Sequence, residues 1–218
     1  MVDAITIFLK RFIPKKIFRF FAPYYHYALA WTGNFIYKNP SNELYVIGVT
    51  GTKGKSTVTY ILNAILEKAG YKTACIGTIE FRMAGESRKN LFKMTMPGRF
   101  FVQKFLREAV DKGCTHAIVE ITSESTLTFR HQFLNLDAFV FTNLAPEHIE
   151  SHGSFENYRD AKLKIAERLE LGKKPNTIMV VNGDNEHSQF FLDKKADKKI
   201  TYHLSDAAPI DLSSGVKM

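Results

Sequence analysis

The chain has 218 residues and a formal net charge of +8, which is enough for one good-sized domain or one domain plus an appendage. Its composition is that of a soluble globular protein. Cys75 and Cys114 lie in apolar contexts, which indicates reduced core residues and argues against a disulfide or a metal pair. No secretory signal with a small-residue cleavage site is visible, so the sequence predicts a cytoplasmic protein.

The first 40 residues form a basic and aromatic segment, called the arm below. Residues 1–38 carry six basic residues against Asp3 alone, a local balance of +5. The uncharged run over residues 20–37 contains Pro23 and His26 and is only moderately apolar, which argues against a membrane span. Two interpretations stay open, a helix on an anionic membrane surface or a helix packed on the main domain or a second subunit. Charge alone is weak evidence for nucleic acid, and we expect none to bind.

A strand pattern, a loop of Gly, Thr and Lys, and a helix pattern follow one another over residues 45–70. The stretch Tyr45 to Val49 is typical of a buried parallel strand, and Gly70 ends the helix. The predicted apolar face of that helix comprises Val58, Ile61, Leu62, Ile65, Leu66 and Ala69. Strand, glycine-rich loop and helix in this order predict a phosphate-binding P-loop, although Val49 stands where its first glycine is usual.

Residues 51–56, called the Gly-rich loop below, would bind phosphate oxygens through backbone N–H groups and the helix N-terminus. Lys55 would reach the β- and γ-phosphates, and the hydroxyl of Ser56 would bind Mg²⁺. The alternative is a tight turn that merely uses glycine. The predicted nucleotide contacts are Gly51, Thr52, Lys53, Gly54, Lys55, Ser56, Thr57 and Asn143.

Strands alternate with helices along the rest of the chain. Strands are predicted over residues 72–81, 116–122, 137–144, 177–184 and 199–204, helices over 99–112 and from Ser154 to about 171, and a polar loop over 82–98. This alternation predicts an α/β fold with a doubly wound, mostly parallel sheet. Ligands of such sheets bind beyond the carboxyl ends of the strands.

Several candidate ligands follow predicted strands at that edge. Glu120 closes one strand, where an acidic side chain would hold Mg²⁺ directly or through water; the alternative is a solvated carboxylate. Asn143, Glu147, His148 and His152 follow the next strand. A lone histidine is more often structural, but a neutral imidazole beside a carboxylate is a plausible second metal ligand.

Lys162 lies on the apolar stripe of the helix that follows Ser154. That stripe comprises Phe155, Tyr158, Ile165 and Leu169, whereas Lys164 and Arg168 fall off it. An inward lysine is costly unless it is paired or neutral. It could snorkel to the domain edge, or a depressed pKa could let the amine react with CO₂ to form an anionic carbamate. Spacing alone favours snorkelling.

Five motifs in series resemble the ATP-dependent Mur ligase family, and most closely its UDP-N-acetylmuramoyl-tripeptide synthetase type. They are "GVTGTKGKST", "TMPG", "EITSESTLTFR", "DAFVFTNLAPEHIESHGSFENYRDAK" and "VVNGD", in order over residues 46–184. The resemblance implies that a peptide carboxylate is phosphorylated by ATP to an acyl phosphate. The amine of an amino acid then attacks it, giving an amide, ADP and phosphate.

The resemblance also implies roles for individual residues. Lys55 and Ser56 would hold ATP phosphates and Mg²⁺, with Glu120 and His148 as further Mg²⁺ ligands. Lys162 matches the lysine that such ligases carbamylate. The resemblance therefore favours the carbamate over snorkelling and adds Lys162 to the expected metal ligands. The positions that match contacts to the UDP-muramoyl-peptide are Thr95, Ser123 and Arg130.

The sequence departs from the family pattern at several points. Lys53 replaces an asparagine, Glu124 a histidine and Glu147 an aspartate. The arm stands in place of a UDP-binding domain, a central ATP-binding domain is expected over residues 41–206, and residues 207–218 would be a tail or the start of an amino-acid-binding domain. We therefore expect a fragment of a longer ligase, a chain that works with a second one, or an inactive protein. The alternatives are a folylpolyglutamate synthase-like ligase, favoured by "GTKGKS", and a non-catalytic nucleotide-binding membrane adaptor.

Overall fold

The computed structural model describes residues 15–92, 94–147 and 149–207. The helices are α1 (Lys15–Ile36), α2 (Lys55–Lys68), α3 (Arg99–Asp111), α4 (Glu124–Leu127), α5 (Ile149–His152), α6 (Phe155–Ala166), α7 (Arg168–Leu171) and α8 (Ser188–Leu192). The strands are β1 (Tyr45–Thr50), β2 (Thr73–Ile76), β3 (Glu80–Met83), β4 (Glu86–Lys89), β5 (His116–Glu120), β6 (Ala138–Phe141), β7 (Ile178–Asn182) and β8 (Lys198–Tyr202). Short 3₁₀ turns cover Pro40–Asn42 and Leu204–Asp206.

All eight strands form one sheet in the order β4-β3-β2-β5-β1-β6-β7-β8. The pairs along β2-β5-β1-β6-β7-β8 are all parallel. Strands β3 and β4 form an antiparallel hairpin that extends the sheet beyond β2. Because the parallel strands share one direction, their carboxyl ends meet at one edge of the sheet. The predicted α/β fold with a mostly parallel sheet is confirmed.

Helices cover both faces of the sheet, as a doubly wound fold requires. Helices α3, α6 and α8 contribute to the larger core, in which Phe141 of β6 stacks on Phe191 of α8 with ring centroids 3.9 Å apart. Helix α2 lies on the other face, where Val58, Leu62 and Leu66 pack against β1, β5 and β6. The two cysteines are buried and unpaired with each other.

The predicted apolar face of α2 is partly wrong. Ile61 and Ile65 are 53% and 57% exposed, whereas Thr59 and Asn63 are fully buried. Ser56, Thr59 and Asn63 recur at helical spacing, and Asn63 accepts a 2.8 Å hydrogen bond from the hydroxyl of Thr73 on β2. Relative to the predicted orientation, the helix is therefore rotated about its axis, so that the polar row of Ser56, Thr59 and Asn63 faces the sheet.

The single strand predicted over residues 72–81 is wrong. The chain turns at Gly77, whose N–H donates to the carbonyl oxygen of Glu80 at 3.2 Å, and the strand divides into β2 and β3. The polar loop predicted over residues 82–98 is also wrong in part, because β4 lies within it. All four residues of β4 are exposed, so an edge strand in solvent carries no hydrophobic alternation by which it could be predicted.

The single helix predicted from Ser154 to about residue 171 is interrupted at Glu167. Its start is confirmed, since the hydroxyl of Ser154 accepts the N–H of Asn157 at 3.2 Å. The placement of Arg168 off the packed stripe is wrong. After the interruption its guanidinium is buried and donates to the carbonyl oxygen of Leu134 at 3.0 Å.

Helix α1 confirms the helical character of the arm over residues 15–36. It packs on α3, and Arg107 of α3 donates to the carbonyl oxygen of Tyr37 at 3.0 Å. Residues 1–14, which carry part of the predicted basic character, lie outside the described residues. Within the described part of the chain, no helix combines the length and the apolar character needed to cross a bilayer.

Candidate active site

The carboxylate of Glu120 lies at the carboxyl end of β5, where it meets the Gly-rich loop. The hydroxyl of Ser56 donates to its two oxygens at 3.0 and 3.1 Å. Thr78, just beyond β2, donates through its N–H and through its hydroxyl, each at 2.9 Å. Glu120 is 1% exposed, so these donors hold a buried carboxylate in place. The sequence predicted Ser56 and Glu120 but missed Thr78, because the pattern over residues 72–81 indicates one continuous strand.

The Gly-rich loop has a shape that only glycine permits at its first position. A Cβ on Gly51 would lie 1.9 Å from the hydroxyl oxygen of Thr142. Gly54 has a φ of 78° and precedes the first turn of α2, where no side chain caps the helix. The first N–H groups of that helix are therefore available to an anion, as the P-loop prediction requires.

Lys55 and Asn143 both bind the backbone of the Gly-rich loop. The ammonium of Lys55 donates to the carbonyl oxygen of Thr52 at 2.8 Å, and burial lowers the pKa of this lysine. The amide of Asn143 accepts the N–H of Lys53 at 2.9 Å and donates to its carbonyl oxygen at 3.0 Å. Asn143 thus fixes the loop. The side chain of Lys53 is 77% exposed and pairs with Glu147 at 3.2 Å, and Thr57 is also exposed.

Lys162 is buried in contact with the Gly-rich loop. Its ammonium donates to the carbonyl oxygen of Gly51 at 2.7 Å and lies 4.6 Å from the ring centroid of Tyr158. The residue is 1% exposed, so the snorkelling interpretation is wrong. Burial, reinforced by the positive charge of Lys55, lowers its pKa to about 7. Near neutral pH a large share of this amine is therefore unprotonated.

A second chain of polar contacts connects the loop to α5 and α6. The hydroxyls of Tyr158 and Thr52 lie 3.1 Å apart, and Nε2 of His152 lies 3.1 Å from the hydroxyl of Ser123. The rings of His152 and Tyr158 meet edge to face at 5.4 Å. Sequence reasoning identified Ser123 and His152 at this edge but assigned Tyr158 only to the core.

An open cleft of about 780 Å³ adjoins these groups. It is lined by Lys55, Ser56, Thr78, Phe92, Met94, Thr95, Glu120, Thr122, Glu124 and Arg130. The hydroxyls of Thr78 and Thr95 are 2.8 Å apart, and Arg130 donates to the carbonyl oxygen of Met96 at 2.9 Å. Two of the three predicted substrate contacts, Thr95 and Arg130, therefore share a cleft with the predicted phosphate and metal groups. Ser123 lies beside it, against His152.

The oxygen ligands fit a Mg²⁺ ion that keeps several waters and also binds phosphate. Over residues 15–92, 94–147 and 149–207, no three His, Cys, Asp or Glu side chains form a ready cation site. Mg²⁺ in nucleotide sites commonly uses only one or two protein oxygens, and the adjacent oxygens of Ser56 and Glu120 supply that number. His148, the other predicted ligand, lies outside the described residues and stays a prediction.

Comparison with known families identifies the fold. The profile of the Mur ligase middle domain matches residues 49–215, which is most of the chain. The chain belongs to the Mur ligase family. It is 32% identical over 191 residues to UDP-N-acetylmuramoyl-L-alanyl-D-glutamate--2,6-diaminopimelate ligase 2 of Clostridium acetobutylicum, covering 87% of this chain and 38% of that protein. It is 35% identical over 186 residues to the UDP-N-acetylmuramyl-tripeptide synthetase of Roseiflexus sp., covering 80% and 36%. The Mur ligase chain thus spans little more than a third of these relatives.

Solved structures agree with this assignment. A UDP-N-acetylmuramoyl-L-alanyl-D-glutamate--2,6-diaminopimelate ligase superposes with a TM-score of 0.63 at 26% identity, covering 74% of this chain and 32% of that one. E. coli FolC in complex with DHPP and ADP superposes with a TM-score of 0.57 at 18% identity, over 78% of this chain and 45% of that one. The second likeness shows a shared fold.

Proposed function

We propose that this Mur ligase chain takes part in ATP-dependent amide-bond formation on a UDP-muramoyl-peptide. The observation that carries the proposal is the contact between Ser56 of the Gly-rich loop and the buried carboxylate of Glu120, both of which line a large cleft. Lys162 contacts the first residue of the same loop. A phosphate site, a cation site and a substrate cleft then share one edge of the sheet. The peptide carboxylate would be phosphorylated to an acyl phosphate, which the amine of an amino acid attacks with loss of phosphate.

The roles of the chain's own groups follow from their chemistry. The N–H groups at the start of α2 and the ammonium of Lys55 would bind the phosphates of ATP. The oxygens of Ser56 and Glu120 would hold Mg²⁺, which neutralises charge on the transferred phosphoryl group when it is bound. Catalysis of this kind consists mainly of positioning and charge neutralisation.

Lys162 would serve this site as a carbamate. Its neutral amine attacks the carbon of CO₂, an N–C bond forms, one proton is released and an anionic carbamate remains. The lowered pKa and the near-complete burial of Lys162 support this step, because a buried ammonium beside Lys55 is unfavourable. The resulting anion would attract Mg²⁺ and offset the charge of Lys55.

Thr95, Ser123 and Arg130 would hold the muramoyl-peptide. The guanidinium of Arg130 lines the cleft and suits an anionic group. The hydroxyl of Thr95 is hydrogen-bonded to that of Thr78, which in turn donates to the carboxylate of Glu120. The names of the relatives point to 2,6-diaminopimelate as one amino acid to test. The same names favour a muramoyl-peptide over a folate as the carboxylate substrate.

Calorimetric titration with Mg-ATP tests the nucleotide part of the proposal. We expect Lys55→Ala to abolish binding, because Lys55 is the half-buried lysine of the Gly-rich loop that lines the cleft. Lys68→Ala is the matched control: its side chain is exposed, it lies in the last turn of α2 at the opposite end from the loop, and it should leave binding close to that of the unmodified chain. Equal affinity for the unmodified chain and Lys55→Ala would remove the phosphate-binding assignment.

Titration with UDP-muramoyl-dipeptide tests the substrate class. We expect binding that Arg130→Ala weakens, whereas a folate should not bind. Binding of the folate without the muramoyl-peptide would favour the folylpolyglutamate synthase-like alternative. Binding of nucleotide alone would favour the non-catalytic adaptor.

We also propose that the arm contacts an anionic membrane surface from the cytoplasmic side. Trp31 and Phe35 stack on each other on α1, with ring centroids 5.6 Å apart, yet they are 53% and 68% exposed. Aromatic rings of this kind favour the membrane–water interface. Residues 1–38 carry a balance of +5, and each basic residue near an anionic lipid surface contributes about 1 kcal/mol to the free energy of binding. One face of α1 packs on α3, so both interpretations of the arm can hold together.

Co-sedimentation with phosphatidylglycerol vesicles tests this contact. We expect binding at low salt that weakens as salt screens the charges, and none to phosphatidylcholine vesicles. The double variant Trp31→Ser with Phe35→Ser should reduce binding, whereas Tyr71→Ser, at an exposed aromatic residue away from the arm, should not. Absence of co-sedimentation at low salt would leave the arm as a packing element alone.

A further inference from the structure

Helix α1 contacts the chain segment that carries Arg130. The ring of Tyr27 lies 5.9 Å from the ring of Phe129 and 5.5 Å from that of Phe133, centroid to centroid. These two phenylalanines flank Arg130 in the sequence. One aromatic side chain of the arm therefore touches both ends of the segment that reaches into the cleft.

The backbone of that segment is strained at the two residues that Tyr27 contacts. Phe129 and Phe133 have φ values of 56° and 63°. This left-handed conformation is costly for a bulky residue, because its Cβ approaches the following carbonyl oxygen. Such conformations persist only where surrounding contacts hold them, and they cluster at functional sites.

A hydrogen-bonded bridge joins α1 to the same segment. Nη2 of Arg99 lies 2.6 Å from Nδ1 of His26, and Nε of Arg99 donates to the carbonyl oxygen of Thr128 at 2.6 Å. A guanidinium has only donors, so Nδ1 of His26 is the acceptor. The bridge fixes the peptide immediately before Phe129.

Arg130 itself is anchored on the opposite wall of the cleft, where it donates to the carbonyl oxygen of Met96. Met96 follows Thr95 and precedes the start of α3, the helix on which α1 packs, by three residues. A shift of the segment 128–133 would move Arg130 relative to Thr95.

We propose that α1 is a positioning element of the substrate cleft, in which Tyr27 and the bridge from His26 through Arg99 hold the strained segment so that Arg130 faces the ligand. This inference rests on the proposed function for the nature of the ligand, an anionic muramoyl-peptide. The arm is then part of the binding site rather than an appendage.

Paired calorimetric titrations with UDP-muramoyl-dipeptide and with Mg-ATP test the inference on the whole chain. We expect Tyr27→Ala to weaken muramoyl-peptide binding by about tenfold, the effect of losing one well-made polar contact, and to leave Mg-ATP binding unchanged. Tyr27→Phe keeps the ring and should restore the affinity. Tyr71→Ala removes a ring of similar exposure that contacts the ring of His116, outside the site, and should affect neither ligand.

A cycle with Arg130 separates positioning from general destabilisation. Because Tyr27 acts through Arg130, the double variant Tyr27→Ala with Arg130→Ala should bind the muramoyl-peptide no more weakly than Arg130→Ala alone. Additive losses, or an equal loss for both ligands, would overturn the inference.

Amide hydrogen exchange keeps the inference testable if the proposed ligand is wrong. We expect Tyr27→Ala to speed exchange over residues 125–134 without affecting β5 or β6, and Tyr71→Ala to leave that segment unchanged. If the unmodified chain binds no muramoyl-peptide, the proposed function fails while this measurement still decides whether α1 holds the segment. Unchanged exchange in Tyr27→Ala would overturn the positioning role.

Discussion

Nζ of Lys162 donates a 2.7 Å hydrogen bond to the carbonyl oxygen of Gly51, so α6 places a buried amine against the first residue of the Gly-rich loop. The ammonium of Lys55 binds the next carbonyl oxygen of the loop, on Thr52. Two lysines converging on adjacent carbonyl groups repel each other, and the buried one has the more strongly lowered pKa. Burial and the charge of Lys55 thus disfavour the protonated form of Lys162, and the carboxylates of Glu124 and Glu147 act in the opposite direction.

The first prediction concerns stability as a function of pH. The pKa of Lys162 falls from 10.5 to about 7 on folding. Below pH 7 both states hold the proton and the full burial penalty applies. Above pH 7 the folded state loses the proton while the unfolded state keeps it, so the free energy of unfolding rises with pH, by at most about 1.4 kcal/mol per pH unit.

Urea unfolding in CO₂-free buffer measures this effect. Between pH 7.5 and 9.5 we expect the unmodified chain to gain about 2 kcal/mol relative to Lys162→Met. Lys164→Met, an exposed lysine two residues away, should follow the unmodified chain. Parallel curves for all three proteins would show that Lys162 has an ordinary pKa.

The second prediction concerns the carbamate. With ¹³C-labelled bicarbonate, Mg²⁺ and nucleotide, we expect a carbamate resonance in the unmodified chain and in Lys164→Ala, and none in Lys162→Ala. Because carbamates are lost in acid, NMR near neutral pH is preferable to mass spectrometry under acidic conditions. Any ATP hydrolysis should fall in Lys162→Ala and recover partly with short carboxylic acids, which can occupy the vacated anionic position. A spectrum of the unmodified chain without the resonance would contradict carbamylation.

The third prediction concerns Thr78, which holds Glu120 and Thr95 together. Thr78→Val removes the hydroxyl that contacts both side chains but leaves the N–H that donates to Glu120. We expect a loss of about 1–2 kcal/mol in the free energy of unfolding and a higher Mg²⁺ concentration for half-maximal nucleotide binding. Thr78→Ser keeps the hydroxyl and should restore both. A normal Mg²⁺ dependence in Thr78→Val would confine Thr78 to a structural role.

Much of the site could be predicted because its parts follow strands. Parallel strands end at one edge, so Glu120 at the end of β5 and Asn143 after β6 had to approach a loop that follows β1. Ser56 had to point towards this edge because it lies in the first turn of α2. The contact between Ser56 and Glu120 therefore follows from topology, which the alternation of helix and strand patterns reveals.

Other features depend on tertiary contacts that local patterns do not encode. The burial of Arg168 needs the carbonyl oxygen of Leu134, more than thirty residues away in sequence, and an interruption of the helix at Glu167. The row from Ser56 to Asn63 is polar, so hydrophobic spacing assigned the wrong face to α2. Strand β4 gains its order from pairing with β3, and its exposed residues carry no signal of their own.

The last prediction compares two glycines of the Gly-rich loop. Gly51 has no room for a side chain, since a Cβ would lie 1.9 Å from the hydroxyl oxygen of Thr142, and its φ is 157°. Gly54 has a φ of 78°, but no atom lies within 4 Å of the position that a Cβ would take, so Gly54→Ala meets only the left-handed backbone penalty of about 1–2 kcal/mol. Gly51→Ala must in addition displace Thr142, which donates to the carbonyl oxygen of Lys53 at 2.7 Å. We expect Gly51→Ala to abolish nucleotide binding, as measured by Mg-ATP calorimetry. We also expect it to lower the free energy of unfolding, measured with urea, by more than Gly54→Ala does. Equal unfolding free energies for the two variants would mean that the loop can move away from the end of β6 at little cost. That result would contradict the inference that Asn143 fixes the loop through its hydrogen bonds to Lys53.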